Sequence, residues 1–348
     1  MQFIRPALLA TTILTASMTT AFADVRVVTS IKPVHSLVAA VMQGVGTPDL
    51  IVEGAGSPHT YALKPSQAKQ LQEADLVFWM SHDLEAFLEK SIDGIATKAV
   101  SVPLMESRGL MTLGFREGGA FDDHGHDEHD DHDEHDKDDD HDHEKHDDHD
   151  DHDDHDKDDD HDHEKHDDHD EHDHGEVDPH VWLDPENAKA MVHEIEEALA
   201  KADPANAATY ESNAEAVMAK LDSLVAEIDS ELQPVKGRGY IVFHDAYQYF
   251  ENRFGVSAIG SITVSPEVLP GAERISDLQE KVRSLDATCV FSEPQFEPKL
   301  VATVTENTNA RTGVLDPLGA AIDKGPNLYF TLIRNMASSL KNCLLGSG

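Results

Sequence analysis

Residues 25–52 read VRVVTSIKPVHSLVAAVMQGVGTPDLIV. Val25–Thr29 is a short β-branched run, the pattern of a buried strand. Pro33–Met42 carries apolar residues at helical spacing, with proline in the first turn and Gly44 as the stop. Leu50–Val52 reads as a strand again. A strand, a helix and a strand in direct succession indicate a layered α/β structure with a parallel sheet.

Reading outward, the alternation continues. Gly54–Pro65 is a Gly/Pro loop, Ser66–Ala74 a helix, Leu76–Met80 a strand, Leu84–Ser91 a helix and Ala99–Val102 a strand. A second set follows later in the 348-residue chain. There Tyr240–Phe243, Thr288–Phe291 and Thr312–Leu315 read as strands. Ala246–Phe254, Ile275–Ser284, Leu300–Thr308 and Leu328–Leu340 read as helices. Between the sets, Pro185–Ala200 places Ala188, Met191, Val192, Ile195 and Leu199 on one stripe. Asp203 and Pro204 then look like an N-cap and first helical residue. The apolar series Ala207, Tyr210, Ala214, Val217, Leu221, Leu224, Ile228 and Leu232 extends that helix to Leu232, roughly 40 Å at 1.5 Å per residue. Pro234 and Gly237 end it. The expected fold is α/β: two Rossmann-like lobes, each a mostly parallel sheet flanked by helices, joined by a long linking helix. The expected divisions are an N-terminal lobe at 24–203, the linking helix at 204–232 and a C-terminal lobe at 233–348.

Residues 122–174 interrupt this order. They hold 31 acidic residues against 4 lysines, a local charge of −27 out of the total of −41. His132–Asp150 repeats as His152–Asp170, with Glu134 replaced by Asp154. Nothing here can build a core, so the entropy of ordering the segment is not recovered and disorder is expected. Such a charge repels duplexes and anionic lipid, which argues against a nucleic-acid partner. The segment also carries 17 of the 23 histidines. They are His124, His126, His129, His132, His135, His141, His143, His146 and His149, then His152, His155, His161, His163, His166, His169, His172 and His174. Composition alone fits an acidic solvated linker. Histidine this dense among aspartates points instead to accessory metal binding, in sites weakened by ordering entropy and by protonation below about pH 6.5.

The N-terminus is an address. Arg5 precedes an apolar run too short to span a bilayer, and Ala21-Phe22-Ala23 is a small-x-small cleavage pattern. Residues 1–23 are expected to be a signal peptide removed before Asp24. That residue is not a cysteine, so no lipid anchor is expected there. The two cysteines of an exported chain, Cys289 and Cys343, are expected to pair.

Six histidines lie outside the insert. His59 sits in the loop Gly56-Ser57-Pro58-His59-Thr60-Tyr61, His180 in Asp178-Pro179-His180-Val181-Trp182-Leu183-Asp184-Pro185, and His244 at a strand end in His244-Asp245-Ala246-Tyr247. In open α/β sheets ligands bind beyond the carboxyl ends of strands, so loop histidines can converge there from both lobes. His35 follows the first strand and reads as structural or supporting. His82 and His193 read as surface residues. Glu293 follows a strand in Ser292-Glu293-Pro294 and can face the cleft, but nothing in the pattern assigns it a role.

These motifs, with Lys64-Pro65-Ser66 and Leu315-Asp316-Pro317-Leu318-Gly319, resemble the zinc-specific members of the metal-binding solute proteins of ABC transporters. The four motifs occur in family order from Asp24 to the chain end. A His-rich insert ahead of Asp-Pro-His is also a zinc-type feature. The resemblance implies that His59, His180 and His244 bind the metal. Three neutral imidazoles suit Zn²⁺, whereas manganese-type relatives tend to place a carboxylate where His244 stands, a harder donor. Some relatives have Glu immediately before the first histidine; this chain has Pro58. Asp316 or water is left to complete the tetrahedron.

The expected function is periplasmic capture of Zn²⁺, its transported ligand, between the lobes. A membrane permease driven by a cytoplasmic ATPase would receive the ion, with the insert as accessory collector or buffer. The protein is expected to be a monomer without a membrane anchor and not an enzyme. A stand-alone zinc storage protein or chaperone is the alternative. A zinc hydrolase is the weaker one, since no Gly-x-Ser-x-Gly, His-Glu-x-x-His or Cys-x-x-Cys motif is present.

Overall fold

A computed structural model of the chain describes residues 25–116, 177–263, 266, 270–284 and 289–346. The expected signal peptide, its cleavage point and the His/Asp-rich insert lie outside the described residues.

The first sheet holds β1 (Val27–Thr29), β2 (Asp49–Leu50), β3 (Leu76–Trp79) and β4 (Val100–Pro103) in the order β2-β1-β3-β4. All its pairings are parallel. Helices α1 (Lys32–Val41), α2 (Pro65–Glu73) and α3 (Ala86–Ile95) make the crossovers. Two long helices follow, α4 (Pro185–Ala202) and α5 (Ala207–Leu232). The second sheet repeats the topology. It holds β5 (Tyr240–His244), β6 (Ala258–Thr263), β7 (Cys289–Ser292) and β8 (Arg311–Val314), parallel, in the order β6-β5-β7-β8. Its helices are α6 (Gln248–Phe254), α7 (Ala272–Ser284) and α8 (Lys299–Thr305), and α9 (Leu328–Leu345) closes the chain. In each sheet the strand order reverses beside the first strand, which opens a crevice at the carboxyl ends.

Three local expectations need correction. Strand β6 has no counterpart in the sequence reading. Its residues, Ala258-Ile-Gly-Ser-Ile-Thr263, mix strand-favouring Ile and Thr with Ala and Gly, which are depleted in strands; pairing with β5 decides the conformation. Helix α5 starts after Asn206, not at Pro204. Asp203 still ends α4, its N–H donating to Leu199 O at 2.8 Å, and its carboxylate accepts from Asn206 Nδ2 and the Tyr210 hydroxyl. Strand β2 stops at Leu50, although Ile51 and Val52 still donate to Thr29 and Ser30 carbonyls.

One apolar core runs from β1 and β3 through α1, α4, α5 and α9 to β5 and β7. Helix α5 is held along its length. Asn213 donates to the Val41 carbonyl at the end of α1, and Arg334 of α9 pairs with Glu227. Gly313 of β8 crosses Phe291 so closely that a Cβ there would lie 2.5 Å from the ring, so only glycine fits. The expected disulfide joins Cys289 to Cys343, with a Cα–Cα distance of 6.1 Å. Lys32, at the start of α1, reaches across to the loop after β8. Its ammonium donates to the carbonyls of Gly319, Ala320 and Ile322 at 2.6, 3.0 and 2.5 Å. No described helix is long and apolar enough to cross a membrane.

Candidate metal centre

Three stretches far apart in sequence each bring one imidazole to the crevice. His59 lies in a 3-10 turn, Pro58–Thr60, beyond β2. That loop is fixed by Gln67, which donates to the Ile51 carbonyl at 2.6 Å and to the Tyr61 hydroxyl at 2.9 Å. His180 precedes a second 3-10 turn, Val181–Leu183. Trp182 anchors it, its indole N–H donating to Pro317 O at 2.9 Å while its carbonyl accepts from the Tyr329 hydroxyl at 2.7 Å. His244 is the last residue of β5.

The ring centroids of His59, His180 and His244 stand 5.4, 5.9 and 5.3 Å apart. One ligand atom from each lies within 4.8 Å of the others, the only such group of three or more among the described residues. His180 Nε2 and His244 Nε2 are 3.5 Å apart. Two imidazoles sharing one tetrahedral zinc at roughly 2.0–2.1 Å per bond place their nitrogens about 3.4 Å apart. The pair is thus already close to the spacing that zinc requires.

The other ring nitrogens are held by buried carboxylates. His180 Nδ1 lies 2.6 Å from Asp178 Oδ1, and His244 Nδ1 lies 2.7 Å from Glu293 Oε1. A carboxylate behind the ligating imidazole fixes its tautomer, turns Nε2 to the metal and raises its basicity. Asp178 is fixed in turn by Gln248 Nε2 at 2.6 Å and the His180 N–H at 3.0 Å. The two carboxylates together match a divalent charge.

The environment pulls two of the imidazoles in opposite directions. Burial, then the neighbouring His180 and His244, pushes His59 down to about 2. Burial also works against a charged His244, but the charge and hydrogen bond of Glu293 outweigh it and hold this imidazole above its ordinary value. The pocket has a volume of about 10 Å³, and its walls include Ser57, Pro58, Trp182, Gln295, Phe296 and Leu318.

Asp316 stands outside this group. Its carboxylate accepts from Gln295 Nε2 and from the N–H groups of Leu318, Gly319 and Ala320, at 2.6–3.1 Å. His35 is buried in α1, its Nε2 3.2 Å from the Pro48 carbonyl. His82 and His193 are exposed beside Glu89 and Glu197. The sequence reading gave no role to Asp178 or Glu293. A signal existed for both: Asp178 precedes His180 by two residues, and Glu293 follows β7 as His244 ends β5. Arg116 was missed because nothing in sequence links it to Asp245 and Glu251, whose carboxylates it pairs with.

The family model described as "Zinc-uptake complex component A periplasmic" matches residues 27–343. The chain is 58% identical over 318 residues to the high-affinity zinc uptake system protein ZnuA of Brucella abortus (strain 2308), a match covering 91% of each chain. It is 33% identical over 343 residues to the Yersinia pestis protein of the same name, covering 99% of this chain and 98% of that one. Among solved structures, a crystal structure of ZnuA gives a TM-score of 0.67 at 21% identity, covering 91% of this chain and 100% of that one. A manganese-bound periplasmic metal-binding protein from candidatus Liberibacter asiaticus gives 0.66 at 19% identity, covering 92% and 99%. At those identities the two structures speak for the fold alone.

Proposed function

The chain belongs to the ZnuA family of periplasmic zinc-uptake components, and from that premise we propose that it captures one Zn²⁺ ion at His59, His180 and His244. The ion then passes to a membrane permease driven by a cytoplasmic ATPase. The observation that carries this reading is the convergence of three imidazoles, two with a buried carboxylate behind them. Neutral nitrogen donors suit zinc better than harder cations. The pocket, of about 10 Å³, is about the size that holds one water-sized ligand. The mature chain starts at Asp24 in the periplasm and works as a monomer. The insert serves as an accessory collector or buffer.

The test is a zinc titration against a competing chelator, using the mature protein, a form lacking residues 122–174, and that form with His59→Ala. One tight site should survive removal of the insert. It should weaken in the point variant by more than the roughly 10–100-fold typical of losing an outer-shell partner. Loss of all tight binding with the insert would move the capture site out of the cleft.

Affinity should also fall with pH. Metal needs neutral imidazole, and His244, held above its ordinary value, takes up a competing proton first. The logarithm of affinity should drop by about one unit per pH unit below that point, since each unit is a factor of ten in free imidazole. His59, at about 2, adds nothing to this slope. A flat profile for the insert-free protein between neutrality and mild acid would contradict the assignment of His244.

A further inference from the structure

Ser57, Glu293 and Gln295, all in the pocket wall, each keep a buried side-chain oxygen with no hydrogen-bond partner. Buried polar atoms are seldom left unpaired without a ligand, ion or water to serve. The Ser57 hydroxyl carries its own proton and can turn. The other two atoms cannot supply one.

Gln295 is fixed in orientation by chemistry. Its Nε2 donates to Asp316 Oδ1 at 3.0 Å. Flipping the amide would set its carbonyl oxygen against the carboxylate, so Oε1 is the atom left as an acceptor. Glu293 spends Oε1 on His244, at 2.7 Å to Nδ1 and 3.3 Å to the backbone N–H, and so stands on the far side of that ring from Nε2. The wall therefore offers an acceptor that lacks a donor, Gln295 Oε1, beside three imidazoles that leave a tetrahedral metal one ligand short. A water molecule has two protons to donate and a lone pair for the metal.

Building on the three-histidine reading, we propose that Gln295 is the positioning residue for a water bound to the captured zinc. Gln295 Oε1 accepts one of the water's protons, and the water's lone pair completes the coordination. Asp316 is then the brace that orients Gln295, and no ligand itself.

The mature protein loaded with one equivalent of Co²⁺ tests this by electron paramagnetic resonance in ¹⁷O-enriched water. The expected result is ¹⁷O broadening of the cobalt signal. Zinc affinity should be about 10–100-fold weaker in Gln295→Met, the range for loss of an outer-shell partner, with the far-ultraviolet circular dichroism of the apoprotein unchanged. A cobalt signal indifferent to the oxygen isotope overturns the proposal, as does a Gln295→Met chain that binds zinc as tightly as the unsubstituted one. His59→Ala provides the separate check on the three-histidine reading. If its cobalt signal were unchanged, that reading would fail whatever the isotope result.

Discussion

Arg116→Met is expected to destabilise the apoprotein by about 3–5 kcal/mol near neutral pH, the cost of leaving buried charges without their partner. The Arg116 guanidinium Nε lies 3.0 and 2.9 Å from the two Asp245 oxygens, and Nη1 lies 2.7 Å from Glu251 Oε2. The Asp245 and Glu251 side chains are only 3% and 5% exposed. Removing the cation strands both. Burial already raises Glu251, against the pull of Arg116. Without Arg116 it should rise further. A carboxyl raised in the folded state holds a proton there at a pH where the unfolded chain has lost it, so stability falls as pH climbs through that window. The deficit of the variant should therefore be small in mild acid and grow toward pH 8. Because Asp245 adjoins His244, zinc affinity should weaken as well. Arg108→Met is the control: that side chain, 73% exposed, pairs with Glu197 at 2.6 Å, and exposed pairs are worth at most about 1 kcal/mol. Urea unfolding of both variants at two pH values would decide. Equal effects would mean that the Arg116 cluster gains nothing from its burial.

Much of this molecule could be read from one strand and one helix at a time. Val27, Val28 and Thr29 declare a strand because a parallel strand buried on both faces reads as a continuous β-branched run, and Ile195 and Leu199 declare a helix because burial of one face imposes a period. The three clustered histidines were legible for a related reason. A strand end or the loop beyond it is where a parallel sheet presents side chains, and His59, His180 and His244 each sit in such a place. What escaped depends on partners distant in sequence. Strand β6 mixes strand-favouring Ile and Thr with Ala and Gly, and its pairing with β5 settles it. Lys32 gains its meaning from carbonyls that lie 287 to 290 residues away. Asp316 stands, with water, as the candidate fourth ligand that the resemblance implies. That its carboxylate would be taken up by the N–H groups of Leu318, Gly319 and Ala320 depends on how the loop turns.

Replacing both cysteines, Cys289→Ala with Cys343→Ala, should lower stability by about 4 kcal/mol on the chain-entropy account of a bridge, which spans 54 residues here. At 2–4 °C per kcal/mol for a chain of this size, the melting temperature should drop by roughly 8–16 °C. The native fold should survive. Cys289 opens β7, which stays paired with β5 on one side and β8 on the other. The end of α9 keeps other ties: Arg311 Nε donates to the Cys343 carbonyl at 2.7 Å and Arg238 to the Leu344 carbonyl at 3.0 Å, both cations at a helix C-terminus. Glu293, one residue past β7, therefore keeps its position behind His244. Stability and capture should separate: the variant melts earlier while its zinc affinity, measured well below the melting temperature, matches that of the unsubstituted chain. The bridge then acts on the unfolded ensemble and leaves the cleft alone. A variant that melts at the original temperature would remove the entropic account. One that loses zinc affinity at full foldedness would mean that β7 and Glu293 depend on the bridge for their placement.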